Sequence, residues 1–190
     1  MTQRIVTLLL VLAAAPRPAE AVRSTERAPF GACRIDVQLI VRSAVPKVTL
    51  STATKEIERI WRPYGVSFLW GGRAATQKDG QQPPLRIVLK DDTLPGTGTQ
   101  ALTERLASIE FLEPTLPRDV INVAVGSARY LLSRSRYIGR NVRELPPFTQ
   151  DRLLGKVVGR SIAHELGHYL LASRQHTEKG LMRGTFVRQA

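Results

Sequence analysis

Short apolar stretches separated by polar or turn-forming residues are the main pattern along the chain. Residues 34–42 alternate between apolar and mostly polar side chains, which predicts a β-strand with one buried face. Four later stretches predict further strands, and the one that carries Glu110 is a candidate for the edge of a sheet. These four strands span residues 66–70, 85–89, 106–111 and 120–125.

Three helices complete the predicted framework. The first follows the first strand, begins at Ser51 or Thr52 and ends near Arg62; a short one covers 128–132, and a long one covers 150–172. This order predicts an α/β fold, in which a mixed, twisted sheet of about five strands carries one helix after its first strand and a long helix near the C-terminus.

The long helix has an unusual stripe of small residues. With Thr149 as its cap, it carries Gly155, Gly159, Ala163 and Gly167, one every four positions. Glycine inside a helix costs about 1 kcal/mol relative to alanine, so such a stripe indicates close packing against a neighbouring element.

The N-terminal residues 1–21 have the three parts of a secretory signal peptide. Arg4 supplies the positive charge, 5–15 is an apolar run, and 19–21 ends in the small residues that signal peptidase reads. The apolar run is too short to span a bilayer as a stable helix, and no later stretch is longer. We therefore expect a secreted or periplasmic protein with a single domain over 22–190 and no transmembrane anchor.

The chain is strongly basic, with 28 Lys and Arg against 16 Asp and Glu and a net charge of +12. Loss of residues 1–21 leaves 26 basic and 15 acidic residues, hence +11. This surplus favours an anionic surface or polymer as a partner, or simply a well-solvated surface. The densest basic stretch, 133–136, is short, so we expect no specific nucleic-acid partner. We also expect a monomer.

Cys33 is the only cysteine of the chain, so no intrachain disulfide can form even in an exported protein. We expect a lone buried thiol, with an intermolecular bridge or a lipid attachment as alternatives, although no lipobox-like run precedes Cys33.

The candidate chemistry lies on the long helix, where residues 161–171 read SIAHELGHYLL. His164 and His168 are four residues apart and so share one helix face, from which both imidazoles can reach one Zn²⁺ at about 2.0–2.1 Å. Glu165, beside them, can act as general base toward a water that the metal activates. The sequence thus predicts hydrolysis assisted by zinc, whereas two core histidines and a salt-bridged glutamate are the structural alternative.

A zinc site of this kind needs a third protein ligand. The 22 residues after His168 contain one histidine, His176, and one acidic residue, Glu178. A neutral imidazole suits zinc better than a short loop carboxylate, so His176 is the preferred third ligand, with Glu178 or a water as alternatives.

His164-Glu165-Leu166-Gly167-His168, then His176, then Gly180-Leu181-Met182 together resemble the metzincin clan of zinc peptidases, and its matrixins in particular. The resemblance implies a zincin-like fold, three zinc-binding histidines, Glu165 as the general base, and Met182 in a methionine turn under the metal. It also implies that an extended peptide substrate binds along the edge strand 106–111.

The spacing departs from the usual clan motif. That motif has a glycine three residues after the second histidine and the third histidine three residues later, where this chain has Leu171 and Arg174. The helix must therefore end differently to bring His176 to the metal. In this longer spacing and in the Gly-Leu-Met-Arg ending, the chain is similar to small exported bacterial proteins.

Three functions follow from these patterns. The first is a zinc endopeptidase with Glu165 as its general base. The second is a non-catalytic, zinc-stabilised exported protein that binds an anionic surface or polymer. The third and weakest is a basic nucleic-acid-binding domain, whose affinity would fall steeply with salt and ignore a chelator.

Overall fold

A computed structural model describes residues 33–42, 44–71, 83–91 and 106–183, and the predicted signal peptide lies outside these ranges. Two 3₁₀ turns cover Arg62–Tyr64 and Val142–Glu144. In chain order, the strands and helices are β1 Cys33–Val41, α1 Lys47–Trp61, β2 Val66–Trp70, β3 Leu85–Lys90, β4 Ala107–Glu113, β5 Leu116–Ala124, α2 Val125–Ser133, β6 Arg136–Tyr137, β7 Arg140–Asn141 and α3 Pro147–Leu171.

Five strands form one mixed sheet in the order β2-β1-β3-β5-β4. The first four are parallel to one another, and β4 runs antiparallel to β5 at the edge. The predicted α/β class, the helix after the first strand, the edge position of β4 and the long C-terminal helix are all confirmed.

Buried side chains at alternate positions of the central strands point to one face of the sheet. Val37, Ile87 and Ile121 are fully buried there, and they belong to one apolar core with residues of α1 and α3. The sheet therefore supports α3, the helix on which the candidate chemistry lies.

The stripe of small residues lets α1 and α3 pack backbone to backbone. A Cβ atom added at Gly155 would lie 2.6 Å from the carbonyl oxygen of Thr49, and one at Gly159 would lie 2.7 Å from that of Ala53. Side chains at these positions would force the helices apart, which confirms the close packing that the sequence predicts.

Two anchors fix α3 beside the candidate site. The indole Nε1–H of Trp61 on α1 donates to the carbonyl oxygen of Ala163 at 3.1 Å in the protein interior. The hydroxyl of Tyr169 donates to Asp119 of β5 at 3.0 Å, and burial first, then this carboxylate, raises the pKa of Tyr169 to about 12. Ala163 and Tyr169 are the residues directly before and after the histidine motif, so these two hydrogen bonds hold the motif against α1 and the sheet.

The predicted helix starts were wrong by a few residues. The first helix begins at Lys47 rather than at Ser51 or Thr52, and α2 begins at Val125 rather than at 128. The long helix begins at Pro147, so Thr149 is not its cap. Thr149 lies inside the first turn, where its N–H donates to the carbonyl oxygen of Pro146. Proline at the first helical position has a suitable φ and lacks an N–H that would be unsatisfied there, so Pro147 starts the helix.

A buried carboxylate ties α1 to α3. Oε1 of Glu56 accepts hydrogen bonds from Arg59 at 2.8 Å and from Arg160 of α3 at 2.9 Å. The bond from Arg59 contributes most to holding the pKa of Glu56 at about 2, below its ordinary 4.5.

We expect Glu56→Gln to lower the free energy of unfolding by about 1–2 kcal/mol at pH 7, a modest value because both arginines are largely exposed. The folded-state pKa is depressed, so this stabilisation is present above the unfolded pKa of about 4.5 and is lost as the pH falls toward 2. Urea unfolding of both proteins at pH 7 and near pH 2.5 measures the effect. A difference that does not shrink at the lower pH would contradict it.

No helix within the described ranges has the length and apolar character needed to cross a membrane.

Candidate metal centre

The helical spacing of the motif places two histidines side by side. His164 and His168 lie one turn apart on α3, both buried, and their Nε2 atoms are 3.1 Å apart. The two rings meet edge to face at 84°. The Nε2 atoms of both histidines therefore point to the same volume next to the helix.

The segment after α3 brings in the third histidine. The helix ends at Leu171, and Ala172 takes a left-handed conformation with φ 46° that turns the chain back. The Nε2 of His176 then lies 3.3 Å from the Nε2 of His164. His176 is exposed, so the cluster opens to solvent on this side.

Backbone carbonyl groups orient the two helical histidines. Nδ1 of His164 lies 2.7 Å from the carbonyl oxygen of Leu181, and Nδ1 of His168 lies 2.7 Å from that of Ser173. A carbonyl only accepts, so each Nδ1 carries the proton and each Nε2 presents a lone pair to the shared volume. Partners of this kind usually fix the tautomer and orientation of metal-binding histidines.

The three histidines fit a metal ion. Nitrogens that bind a tetrahedral zinc at about 2.0–2.1 Å lie about 3.3–3.4 Å from each other, close to the two distances observed here. The ligand atoms of His164, His168 and His176 all lie within 4.8 Å of one another. Burial also lowers the pKa of His164 and of His168, which favours the neutral, metal-binding imidazole. These three residues are thus positioned to bind a metal ion, whereas Glu178 is not in the cluster.

Glu165 is buried next to the histidines and faces the edge strand. Its Oε2 accepts a hydrogen bond of 2.9 Å from the backbone N–H of Ile109 on β4. The carboxylate is thus outside the cluster of ligand atoms, although it belongs to the same turn of α3.

The outer edge of β4 faces the site. The N–H of Ala124 on β5 donates to the carbonyl oxygen of Leu106, so the backbone N–H and C=O groups of Leu106 and Ser108 face β5. Those of Ala107 and Ile109 therefore point to the outer edge of the sheet. The register of the pair is irregular after Ile109, and there the carbonyl oxygen of Phe111 accepts a hydrogen bond from Arg174 at 3.3 Å. The guanidinium of Arg174 lies 5.0 Å from the centre of the Phe111 ring.

The turn that follows His176 packs under α3. Thr177 N–H donates to the carbonyl oxygen of Met182 at 2.8 Å, which closes a loop around Gly180, whose φ is 83°. The Sδ atom of Met182 lies directly against Gly167, in the space that a Cβ at this position would need. Met182 is therefore next to the histidine motif, and Gly167 is required for that contact.

Four groups at the site were not predicted from the sequence. Three are backbone atoms, namely the carbonyl groups of Ser173 and Leu181 and the N–H of Ile109, and backbone atoms leave no side-chain signature. The fourth is Arg174, whose contact with Phe111 depends on how the chain turns after α3.

No protein-family model, curated protein or solved structure matches this chain.

Proposed function

We propose that this protein is an exported zinc endopeptidase, similar to the metzincins, with His164, His168 and His176 as zinc ligands and Glu165 as general base. The observation that carries the proposal is that three imidazole Nε2 atoms converge next to a buried carboxylate. Two of these imidazoles and the carboxylate belong to the same turn of α3, and the third follows the helix. The signal-like segment 1–21 supports export.

The donor set favours zinc. Three neutral imidazoles with one side open to solvent are typical of catalytic zinc sites, which keep a coordination position for water or substrate. When bound there, zinc would lower the pKa of a water molecule and polarise the carbonyl group under attack.

Glu165 would move the proton. Its carboxylate would accept a proton from the attacking water and pass it to the leaving amine nitrogen, as a general base and then a general acid. The hydrogen bond from Ile109 fixes the carboxylate against β4, which limits its rotation and keeps it on the substrate side of α3.

The substrate would be an extended peptide that adds a strand to the outer edge of β4. Such binding would use backbone hydrogen bonds to the outward-pointing groups of this edge that the contacts with Glu165 and Arg174 do not occupy, namely the N–H and C=O of Ala107 and the C=O of Ile109. The amide of Ile109 therefore lies where it would both hold Glu165 and border the scissile peptide.

A peptide-library digestion tests the proposal. The protein should cleave peptides internally at neutral pH, lose this activity in a strong chelator and recover it when zinc is returned. A protein that binds zinc and yet cleaves nothing across a broad library would contradict the proposal and favour the non-catalytic, zinc-stabilised binding protein.

A further inference from the structure

A second surface, distinct from the metal centre, is formed by residues 134–143, which we call the basic hairpin. Within it β6 pairs with β7, with Arg136 opposite Asn141 and Tyr137 opposite Arg140. Ile138 and Gly139 form the two-residue turn at its tip, and both have positive φ, 49° and 76°.

The residue at the tip is a poor choice for stability. Positive φ at both central positions defines a type I′ turn, which favours Asn-Gly or Asp-Gly. A β-branched residue with positive φ is rare because its side chain crowds the backbone. Ile138 nevertheless occupies this position with 82% of its surface exposed, so it neither relaxes the turn nor contributes to the core. Strain of this kind, observed at an exposed tip, points to a role in binding.

The flanks of the tip are strongly basic. The hairpin carries four exposed arginines, and the neighbouring carboxylate of Glu144 accepts a hydrogen bond from Asn141 at 2.8 Å. Tyr137, 40% exposed, lies directly before the turn. The arginines are Arg134, Arg136, Arg140 and Arg143.

The base of the hairpin is fixed to the body of the protein. Val142 is buried, and its N–H donates to the carbonyl oxygen of Ser135 at 3.1 Å. The guanidinium of Arg143 donates to the hydroxyl of Ser133 at the end of α2, at 3.2 Å. The apolar tip and its arginines are thus presented as a preformed unit.

We propose that the basic hairpin docks this protein on the surface of an anionic lipid bilayer. Ile138 and Tyr137 enter the boundary between headgroups and acyl chains, while the surrounding arginines bind lipid phosphates. A nucleic acid would attract the same arginines, but a bilayer surface offers both phosphates for the arginines and an extended apolar layer for the isoleucine. The proposal does not depend on the metal centre or on peptidase activity.

Vesicle co-sedimentation tests the docking site with the full chain. Wild type should bind vesicles of phosphatidylcholine mixed with phosphatidylglycerol more tightly than vesicles of phosphatidylcholine alone. Ile138→Asn should weaken binding to the anionic vesicles by about tenfold because it removes the inserted side chain. The same substitution places a favoured residue in the turn, so the melting temperature should stay equal or rise. Loss of binding with retained stability therefore cannot be caused by unfolding.

The arginines are tested by the double variant Arg136→Gln and Arg140→Gln, which should weaken binding by about fivefold for each charge removed. Matched controls on other elements are Leu69→Asn, an exposed apolar residue on β2, and Arg62→Gln, an exposed arginine after α1, and both should bind as wild type does. All variants carry the same N-terminal segment, so differences between them report on the substituted positions.

Two results would overturn the docking site. One is equal binding of wild type and Ile138→Asn to the anionic vesicles. The other is binding to double-stranded DNA that needs the two arginines but not Ile138, together with weak vesicle binding, which would identify a site for polyanions instead.

Discussion

Replacing Glu165 with glutamine should abolish peptide hydrolysis and leave the metal content unchanged. Glutamine has the same shape, and its amide oxygen can still accept the hydrogen bond from Ile109. It cannot take a proton from water, so kcat/KM should fall by about 10³-fold, within the range that general acid–base catalysis contributes. The measurement is kcat/KM on a peptide selected from the library, with metal content by mass spectrometry on the same sample.

Glu178→Gln is the matched control for this variant. Glu178 is an exposed carboxylate in the segment after His176 and outside the cluster of ligand atoms, so its loss should leave activity and metal content near the wild-type values. A Glu165→Gln protein that hydrolyses the peptide within about tenfold of wild type would contradict the assigned role.

Replacing His176 with alanine should remove tight metal binding without unfolding the protein. His176 is exposed and contributes little to the core, yet its Nε2 is one of three nitrogens that meet at the site. Loss of a hydrogen-bond partner of a metal ligand already costs about 10–100-fold in affinity, so loss of a ligand should cost at least about 100-fold. Competition with a chromophoric chelator measures the affinity, and thermal unfolding of the chelated proteins checks the fold.

Gln175→Ala, at the neighbouring exposed position, should retain the wild-type affinity. Equal affinities of wild type and His176→Ala would remove His176 from the ligand set and return Glu178 or water as the third ligand.

The centre of the site could be predicted from the sequence because helical geometry fixes it. Residues four apart must share a helix face, so His164 and His168 could be paired once the segment was recognised as a helix. The stripe of small residues likewise required close neighbours, which are α1 at Gly155 and Gly159 and Met182 at Gly167. His176 was predicted by elimination among few candidates, and the structure places its Nε2 at the site.

The parts that could not be predicted depend on long-range or backbone geometry. The N–H of Ile109 reaches Glu165 because the register between β4 and β5 turns this N–H to the outer edge of the sheet. The pattern of apolar and polar residues does not show that register. The position of Leu181 next to His164 depends on the turn around Gly180. For the basic hairpin, the sequence indicates only a concentration of positive charge at residues 133–136. It does not indicate that the chain turns at Ile138 and exposes this side chain.

Anomalous diffraction at the zinc absorption edge tests the central claim most directly. A crystal of the protein grown with zinc should show one strong anomalous peak at about 2.0–2.1 Å from the Nε2 atoms of His164, His168 and His176. A map with no peak there, or with the three imidazoles turned to different surroundings, would contradict the account.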